Sequence, residues 1–282
     1  MLKNGKSFLL LLFAAACQSP QTTLSDRVCQ LTQSTEQLTA EGVVLSTTRQ
    51  QIAYNAQGLP VQYNHQLAGR DSSFVIEYKG TTAVRAVSVH NPANQLIFQY
   101  NASNQLAKVA YMLGNNERGG CSLEYEGGSL SRILEVWKPG TAGAPYQQRS
   151  FRFQPNEDQN VQIQRVTLTA SNGSATEEEW QFSFDQTGRR SPYADVGPAT
   201  LLAVLSLTNP ADPYPCRFLQ RTGLSGYQRY SFRSGQRILR EAATVEPEFD
   251  AFQNPIKITT DLTGNTTGPR KLQQTFQYLC VE

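Results

Sequence analysis

Short runs in which apolar and polar residues alternate recur along most of this 282-residue chain. A period of two places successive side chains on opposite faces of a strand, so the pattern is typical of a half-buried β-sheet. Valine, isoleucine, threonine and aromatic residues dominate the runs, as they do in strands. Clear examples are residues 74–78, 162–168, 180–184, 228–232 and 274–278. The alternation therefore predicts an all-β fold.

One segment departs from this alternation. Residues 192–221 contain five prolines, and between Pro198 and Leu207 the apolar residues take helical spacing. We predict one short helix of about two to three turns there, inside a proline-rich insertion. Covering an exposed sheet edge is a common structural need, so we interpret the insertion as a cover over one end of the sheet. A lid over a ligand site is the alternative.

A second pattern is a recurring unit that consists of an aromatic residue, a small turn and a short outgoing strand. The Asn or Asp of the turn bends the chain through a side-chain hydrogen bond, and Gly or Asn supplies a positive φ. The anchors Tyr54, Tyr78, Tyr100 and Tyr125 are 24, 22 and 25 residues apart. A spacing in the range of about 20–50 residues predicts a stacked repeat architecture. Further copies start at Phe184, Phe232 and Phe249.

These units resemble the YD-type repeats of wall-associated and Rhs-like exported proteins, most closely at residues 54–61 and 249–256. They are also similar in plan to Gram-negative envelope lipoproteins with degenerate hairpins. The resemblance implies repeated antiparallel hairpins that form one long twisted sheet, with residues 28–282 as a single β-repeat domain. This chain departs from the pattern because Phe often replaces the tyrosine, and the acid that follows is often replaced. The resemblance implies nothing about chemistry.

The N-terminus has the order of an export signal: Lys3 and Lys6, an apolar run at residues 8–13, then three alanines and Cys17. The run is far shorter than the roughly 20 residues of a membrane-spanning helix. Residues 14–17 resemble a bacterial lipobox, although leucine is more common than Ala14. The resemblance implies a signal peptide at residues 1–16, acylation of Cys17 and a lipidated tether at residues 17–27. Ordinary cleavage after Ala16 is the alternative.

Acyl chains on Cys17 would hold the protein on a membrane, since each buried methylene contributes about 0.8 kcal/mol. No aspartate follows Cys17, and by resemblance to known sorting signals this favours the outer membrane and its periplasmic face. Loss of Lys3 and Lys6 would leave equal numbers of basic and acidic residues. A neutral chain lacks the clustered positive charge that nucleic acid requires, so we expect no nucleic-acid partner.

Four further cysteines, Cys29, Cys121, Cys216 and Cys280, are widely spaced. An even number in an oxidising compartment predicts at least one disulfide, with the pairing left open and buried thiols as the alternative for the rest. The absence of a C-x-x-C motif from the sequence argues against a zinc knuckle or a thioredoxin-like redox site.

We expect no catalytic, metal or cofactor site. His65 and His90 each stand alone, and we interpret both as surface histidines. Gly223 to Gly226 lacks the second glycine of a nucleophile elbow. A carbohydrate-active hydrolase needs two carboxylates about 5–10 Å apart. The candidates for such a pair are Glu177, Glu178, Glu179 and Asp185.

Aromatic residues are the remaining candidates for binding. Trp137 and Trp180 lie in predicted strands, and Tyr193 and Tyr214 lie in the proline-rich insertion. They suit glycan stacking or protein contact, and packing within the sheet is the alternative. The sequence therefore favours a non-enzymatic envelope lipoprotein, a binding or scaffold module that contacts an envelope protein or a glycan. A structural spacer and the hydrolase are the competing hypotheses.

Overall fold

The computed structural model describes residues 28–67, 69–138, 146–264 and 268–281. These residues form a closed antiparallel barrel of 16 strands, in which each strand pairs with its neighbours along the chain and β1 pairs with β16. The strands β1 to β16 are Val28–Ala40, Val43–Tyr54, Pro60–Leu67, Arg70–Lys79, Thr82–Ser88, Asn94–Tyr100, Leu106–Leu113, Asn116–Glu126, Ser129–Trp137, Gln148–Pro155, Val161–Thr169, Ala175–Phe184, Leu224–Arg233, Gln236–Phe249, Pro255–Gly264 and Arg270–Val281. Helix α1, Ala199–Ser206, and a 3₁₀ helix, Pro215–Leu219, lie between β12 and β13.

The all-β composition and the single short α-helix are confirmed, but the long twisted sheet of YD-type repeats is wrong: the sequence left undecided whether the sheet is open or closed, and it is closed. The first and last strands meet along a ladder that runs from Cys29 opposite Cys280 to Ala40 opposite Arg270. An open sheet would leave two edge strands with unpaired backbone groups, and closure removes both edges. Alternation within a strand is the same in either case, so it could not distinguish an open sheet from a barrel.

The recurring aromatic-and-turn unit lies at one end of the barrel, in the turns that follow even-numbered strands, except for the copy at Phe232, which lies at the end of β13. In the turn after β6, the Asn101 side-chain oxygen accepts hydrogen bonds from the backbone N–H groups of Ser103 and Gln105, at 3.0 and 2.9 Å. The Tyr54 hydroxyl at the end of β2 donates to the Leu31 carbonyl of β1 at 2.9 Å. Tyr78, Tyr125 and Tyr278 make the same kind of bond to the preceding strand. The unit therefore ties neighbouring strand ends together in a closed barrel.

Replacing Asn101 with alanine is expected to lower the free energy of unfolding by about 1 kcal/mol, because two backbone N–H groups lose a shared acceptor. Urea denaturation measures this change. Asn104, in the same turn, has a φ of +58°, so Asn104→Gly keeps the backbone conformation and serves as a control with a change of a few tenths of a kcal/mol. Equal effects of the two substitutions would contradict the role given to Asn101.

The two faces of the barrel wall differ in chemistry. Inward-facing residues include Leu31, Tyr63, Ile133 and Phe151, each at most 2% exposed. The opposite face carries many polar and charged residues that pair with one another from strand to strand, together with exposed apolar residues such as Val75, Val136 and Leu279. Examples of outward-facing residues are Gln33, Thr35, Arg49, Gln51, Asn64, Glu77, Arg85, Gln99, Lys108, Ser122, Glu124, Arg132, Arg152, Arg165, Thr167, Glu179, Gln181, Gln228, Thr244, Glu246, Lys257, Asp261, Lys271, Gln273 and Thr275.

A disulfide is confirmed, and it joins Cys29 of β1 to Cys280 of β16, across 251 residues of sequence. Cys121 and Cys216 are buried thiols. Cys17, with the predicted signal peptide and the whole of the predicted tether, lies outside the described residues. In the described part of the chain, no helix has the length and apolar character needed to cross a membrane.

Candidate functional site

The segment between β12 and β13, residues 185–223, enters the barrel, and we call it the plug. Tyr193 packs edge-on against Phe276 of β16, with ring centroids 6.2 Å apart. The Gln164 amide of β11 donates to the Pro213 carbonyl at 2.8 Å. On the far side, the Asn209 amide donates to the Leu67 carbonyl of β3 at 3.3 Å. Contacts with strands around the whole circumference place the plug in the lumen, whereas the sequence predicted a cover over one end of a sheet.

Helix α1 of the plug is apolar on every side, as expected of a helix surrounded by protein. Leu202, Ala203, Val204 and Leu205 have no exposed surface. Each fully buried side chain of this size contributes about 1.5–3 kcal/mol. The helix thus serves as the hydrophobic core that a 16-stranded wall is too wide to make from its own side chains.

One arginine fastens the plug to the wall. Arg149 of β10 is 2% exposed, and its Nε donates to Glu135 Oε2 of β9 at 2.9 Å. Its two terminal nitrogens donate to the backbone carbonyls of Leu207, Pro210 and Asp212, at 2.9, 3.2 and 3.2 Å. Burial disfavours the guanidinium charge, but Glu135 outweighs this and raises the pKa of Arg149. The guanidinium therefore links the wall to the chain that follows α1.

A cavity of about 290 Å³ lies between the plug and the wall formed by β12–β16 and β1–β3. Its size is close to the lower limit for small-molecule sites, which are mostly apolar with a few placed polar groups. The aromatic and larger aliphatic residues of the lining are Leu67, Trp180, Phe182, Tyr193, Tyr214, Leu224, Tyr227, Val245, Ile258 and Leu272. The charged lining residues are Glu36, Asp212, Arg217, Arg229 and Glu241.

Charged groups from the plug and from β1 meet on one side of this cavity. Arg217 forms an ion pair with Asp212, which is 1% exposed, and its guanidinium lies over the ring of Tyr214. Glu36 of β1 accepts a hydrogen bond from the Gln274 amide at 2.8 Å. Burial raises the pKa of Glu36, and the nearby Arg217 charge opposes that rise. Burial also lowers the pKa of His65, behind Asp212, to about 4, so this histidine is neutral at pH 7.

Two more ion pairs lie on the wall next to the cavity. Arg229 pairs with Glu178 at 2.9 Å, and both side chains are about a third exposed, at 37% and 34%. Arg270 pairs with Glu241 at 2.6 Å. Tyr227 donates to the other oxygen of Glu241 at 2.8 Å. The exposure of Arg229 shows the side from which solvent reaches the cavity.

Three of the four aromatic residues singled out in the sequence come together in this cavity. Trp180, Tyr193 and Tyr214 line it. Trp137 lies elsewhere on the inner wall, 5.2 Å from the ring of Tyr111. The charged residues Glu36, Asp212, Arg217 and Arg229 were not predicted from the sequence, because closure of the barrel is what brings them together.

Other sequence-based interpretations fare differently. His65 has no exposed surface, so its interpretation as a surface histidine is wrong, whereas His90 is exposed and lies 3.3 Å from Asp71.

The successive glutamates of β12 alternate between faces: Glu178 points inward, and its neighbours Glu177 and Glu179 point outward. The Asp185 side chain bonds to Thr187 within the turn. Within the described ranges, no three His, Cys, Asp or Glu side chains are grouped as a metal site would require.

These features define a closed 16-stranded barrel whose lumen holds its own chain. No family model matches the sequence, and no curated protein matches it either. The fold is similar to a solved porin-like protein from Bacteroides vulgatus, with a TM-score of 0.57 and 12% identity over 89% of this chain and 99% of that chain. A porin-like protein from Bacteroides uniformis gives a TM-score of 0.50 and 12% identity, over 88% and 96%. At this identity, the similarity extends to the fold alone.

Proposed function

We propose that this protein is a non-enzymatic binding barrel of the cell envelope, which stands in water and holds one small molecule in the cavity between plug and wall. The observation that carries the proposal is the orientation of the side chains. A transmembrane barrel has an apolar outer band and a polar lumen. In this barrel the outer face carries charged ion pairs, and the interior is filled by protein that is mostly apolar, with a few buried ion pairs.

The cost of placing the charged residues of the outer face in lipid supports the proposal that the barrel wall lies in water. Arg85 and Glu77 form an ion pair at 2.7 Å, and Arg165 and Glu179 form one at 2.6 Å, both on outward-facing positions. In lipid, an arginine or lysine at the middle of a barrel costs about 2–4 kcal/mol. Several such residues around the wall would make membrane insertion strongly unfavourable. Membrane attachment in this proposal comes from acyl chains on Cys17 alone, and the Cys29–Cys280 disulfide suits an oxidising compartment.

We expect Cys17→Ala to move the protein from the membrane fraction to the soluble periplasmic fraction, because the acyl chains are the membrane anchor. Cell fractionation measures the distribution, and mass spectrometry of the N-terminus verifies that cleavage has occurred at the ordinary site. Glu248→Gln, on the outer face, is the control and should leave the distribution unchanged. A cleaved Cys17→Ala protein that remains in the membrane would show that the barrel itself inserts, and the proposal would then be wrong.

The binding role is tested by filling the cavity. Val245 lines the cavity, and the neighbouring Thr244 faces outward. Native mass spectrometry of protein purified from its own envelope should show a retained small molecule in the wild type and in Thr244→Phe. Val245→Phe should lose it, since the ring would occupy the cavity. No retained molecule in the wild type, or equal retention in both variants, would favour a structural spacer instead.

A further inference from the structure

We propose that the cavity selects a small organic cation: a protonated amine on a flat apolar body, with the amine held by Glu36 and Asp212. This inference rests on the proposed binding function and names the class of ligand. It combines three independent observations, namely the charge balance of the cavity, its unpartnered acceptors and its aromatic walls.

The charge balance leaves one carboxylate over. Three guanidiniums in and beside the cavity each have a carboxylate partner: Arg217 with Asp212, Arg229 with Glu178, and Arg270 with Glu241. Glu36 is the fourth carboxylate, and the neutral Gln274 amide is its hydrogen-bond donor. Holding a carboxylate away from water without a cationic partner is unfavourable. A ligand that brings one positive charge would complete the set.

Two residues that line the cavity carry buried acceptor atoms without a donor in the described part of the chain, and one of these atoms, Asp212 Oδ2, lies 3.8 Å from His65 Nδ1, beyond hydrogen-bond distance. Asp212 Oδ2 and Gln220 Oε1 are buried, and each lacks a hydrogen-bond donor among the described residues. The residues that carry them are 1% and 2% exposed, and both line the cavity. A buried acceptor without a donor costs about 1–3 kcal/mol in general. An ammonium group carries three donors and no acceptor, so it matches this set, whereas a carboxylate ligand would add further unmatched acceptors.

The apolar part of the ligand would lie against aromatic rings. Phe182 packs against Tyr214 at 5.4 Å and against Tyr227 at 6.4 Å between ring centroids, and all three line the cavity. Tyr193 closes the side nearest Ser34 and Gln50. Aromatic faces also attract organic cations through their quadrupoles, and this attraction strengthens in a desolvated site.

The experiment compares three probes with one body and different heads: phenethylammonium, 2-phenylethanol and 3-phenylpropanoate. Isothermal titration calorimetry of the purified full-length protein at pH 7 measures their affinities. We expect the cation to bind at least about tenfold more tightly than the alcohol, and the anion to bind more weakly than either. In Glu36→Gln, which keeps shape and hydrogen bonding but removes the charge, the cation and the alcohol should bind within about twofold of each other. Glu248→Gln, on the outer face, should retain the wild-type preference.

Equal binding of the cation and the alcohol, tighter binding of the anion, no binding of any probe, or an unchanged preference in Glu36→Gln would each overturn the cation assignment. The binding function itself would survive these results if native mass spectrometry still shows a neutral or anionic molecule that Val245→Phe releases. The failure of the ligand class is thus distinguishable from the failure of the binding role.

Titration adds an independent measurement. Four ionisable residues interact electrostatically with Glu36: Asp212, Arg217 and Tyr193 of the plug and Tyr227 of β13. The side chains opposite Glu36 on the neighbouring strands, Thr48 of β2 and Gln274 of β16, carry no charge. Because burial raises the pKa of Glu36, this carboxylate is protonated at a higher pH than an ordinary glutamate. Protonation removes the negative charge that would pair with the ligand. Affinity for phenethylammonium should therefore fall as the pH falls, and binding should release protons from the wild type. Glu36→Gln should show a flat profile, and a steep profile in that variant would contradict the role of Glu36.

Discussion

Replacing Arg149 with methionine is expected to lower the free energy of unfolding by about 3–5 kcal/mol, as removal of one partner of a buried ion pair does. Glu135 would keep its charge in a site with no exposed surface, where the described residues would leave it the hydroxyls of Tyr111 and Tyr146 as donors. Three plug carbonyls would also lose their shared donor. Guanidinium chloride denaturation measures the change.

Two control variants distinguish the effect of removing a buried charge from the effect of removing any charge. Arg132→Met removes an outward ion pair with Glu124 and should cost at most about 1 kcal/mol, because exposed pairs contribute little. The double variant Arg149→Met with Glu135→Leu removes both charges and should recover much of the lost stability. A cost for Arg149→Met no larger than that for Arg132→Met would refute the proposed link between plug and wall.

The sequence predicts the strands of this fold much better than their closure. Residues 162–168 and 274–278 alternate because one face of each strand is buried, and this local pattern does not depend on the partner strand. The aromatic-and-turn unit also has a local cause, as the Asn101 turn shows. Closure depends on a ladder between β1 and β16, which lie at opposite ends of the described chain. Repeats of similar spacing therefore suggested a long twisted sheet and left undecided whether it closes.

The candidate site was only partly predictable for the same reason. Trp180, Tyr193 and Tyr214 stood out by residue type, and the structure brings all three to one cavity. Glu36 and Arg217 looked like ordinary charged residues, since a carboxylate in an alternating strand is usually solvated. Glu36 faces the lumen because it lies on the inward face of β1, opposite Gln274, whereas Arg217 lies on the plug. A charged residue on that face departs from the alternation, and this departure is the signal that could have identified Glu36.

Removing the Cys29–Cys280 disulfide with a double alanine substitution is expected to destabilise the barrel by about 4–5 kcal/mol. In the chain-entropy account, a cross-link stabilises by restricting the unfolded chain, and the effect grows with the length of the closed loop. This bond closes a loop of 251 residues, which places it at the upper end of the range. Guanidinium chloride denaturation of the double variant and of the oxidised wild type measures the difference.

The seam between β1 and β16 gives this substitution a local consequence as well. Every other strand pair is joined directly by chain, whereas β1 and β16 are held by their ladder and this one bond. Hydrogen exchange should therefore increase first at β1 and β16 in the double variant. A reductant should shift the wild type to the stability of the variant and leave the variant unchanged. If the variant unfolds at the wild-type denaturant concentration and exchanges no faster at β1 and β16, the backbone ladder alone closes the barrel.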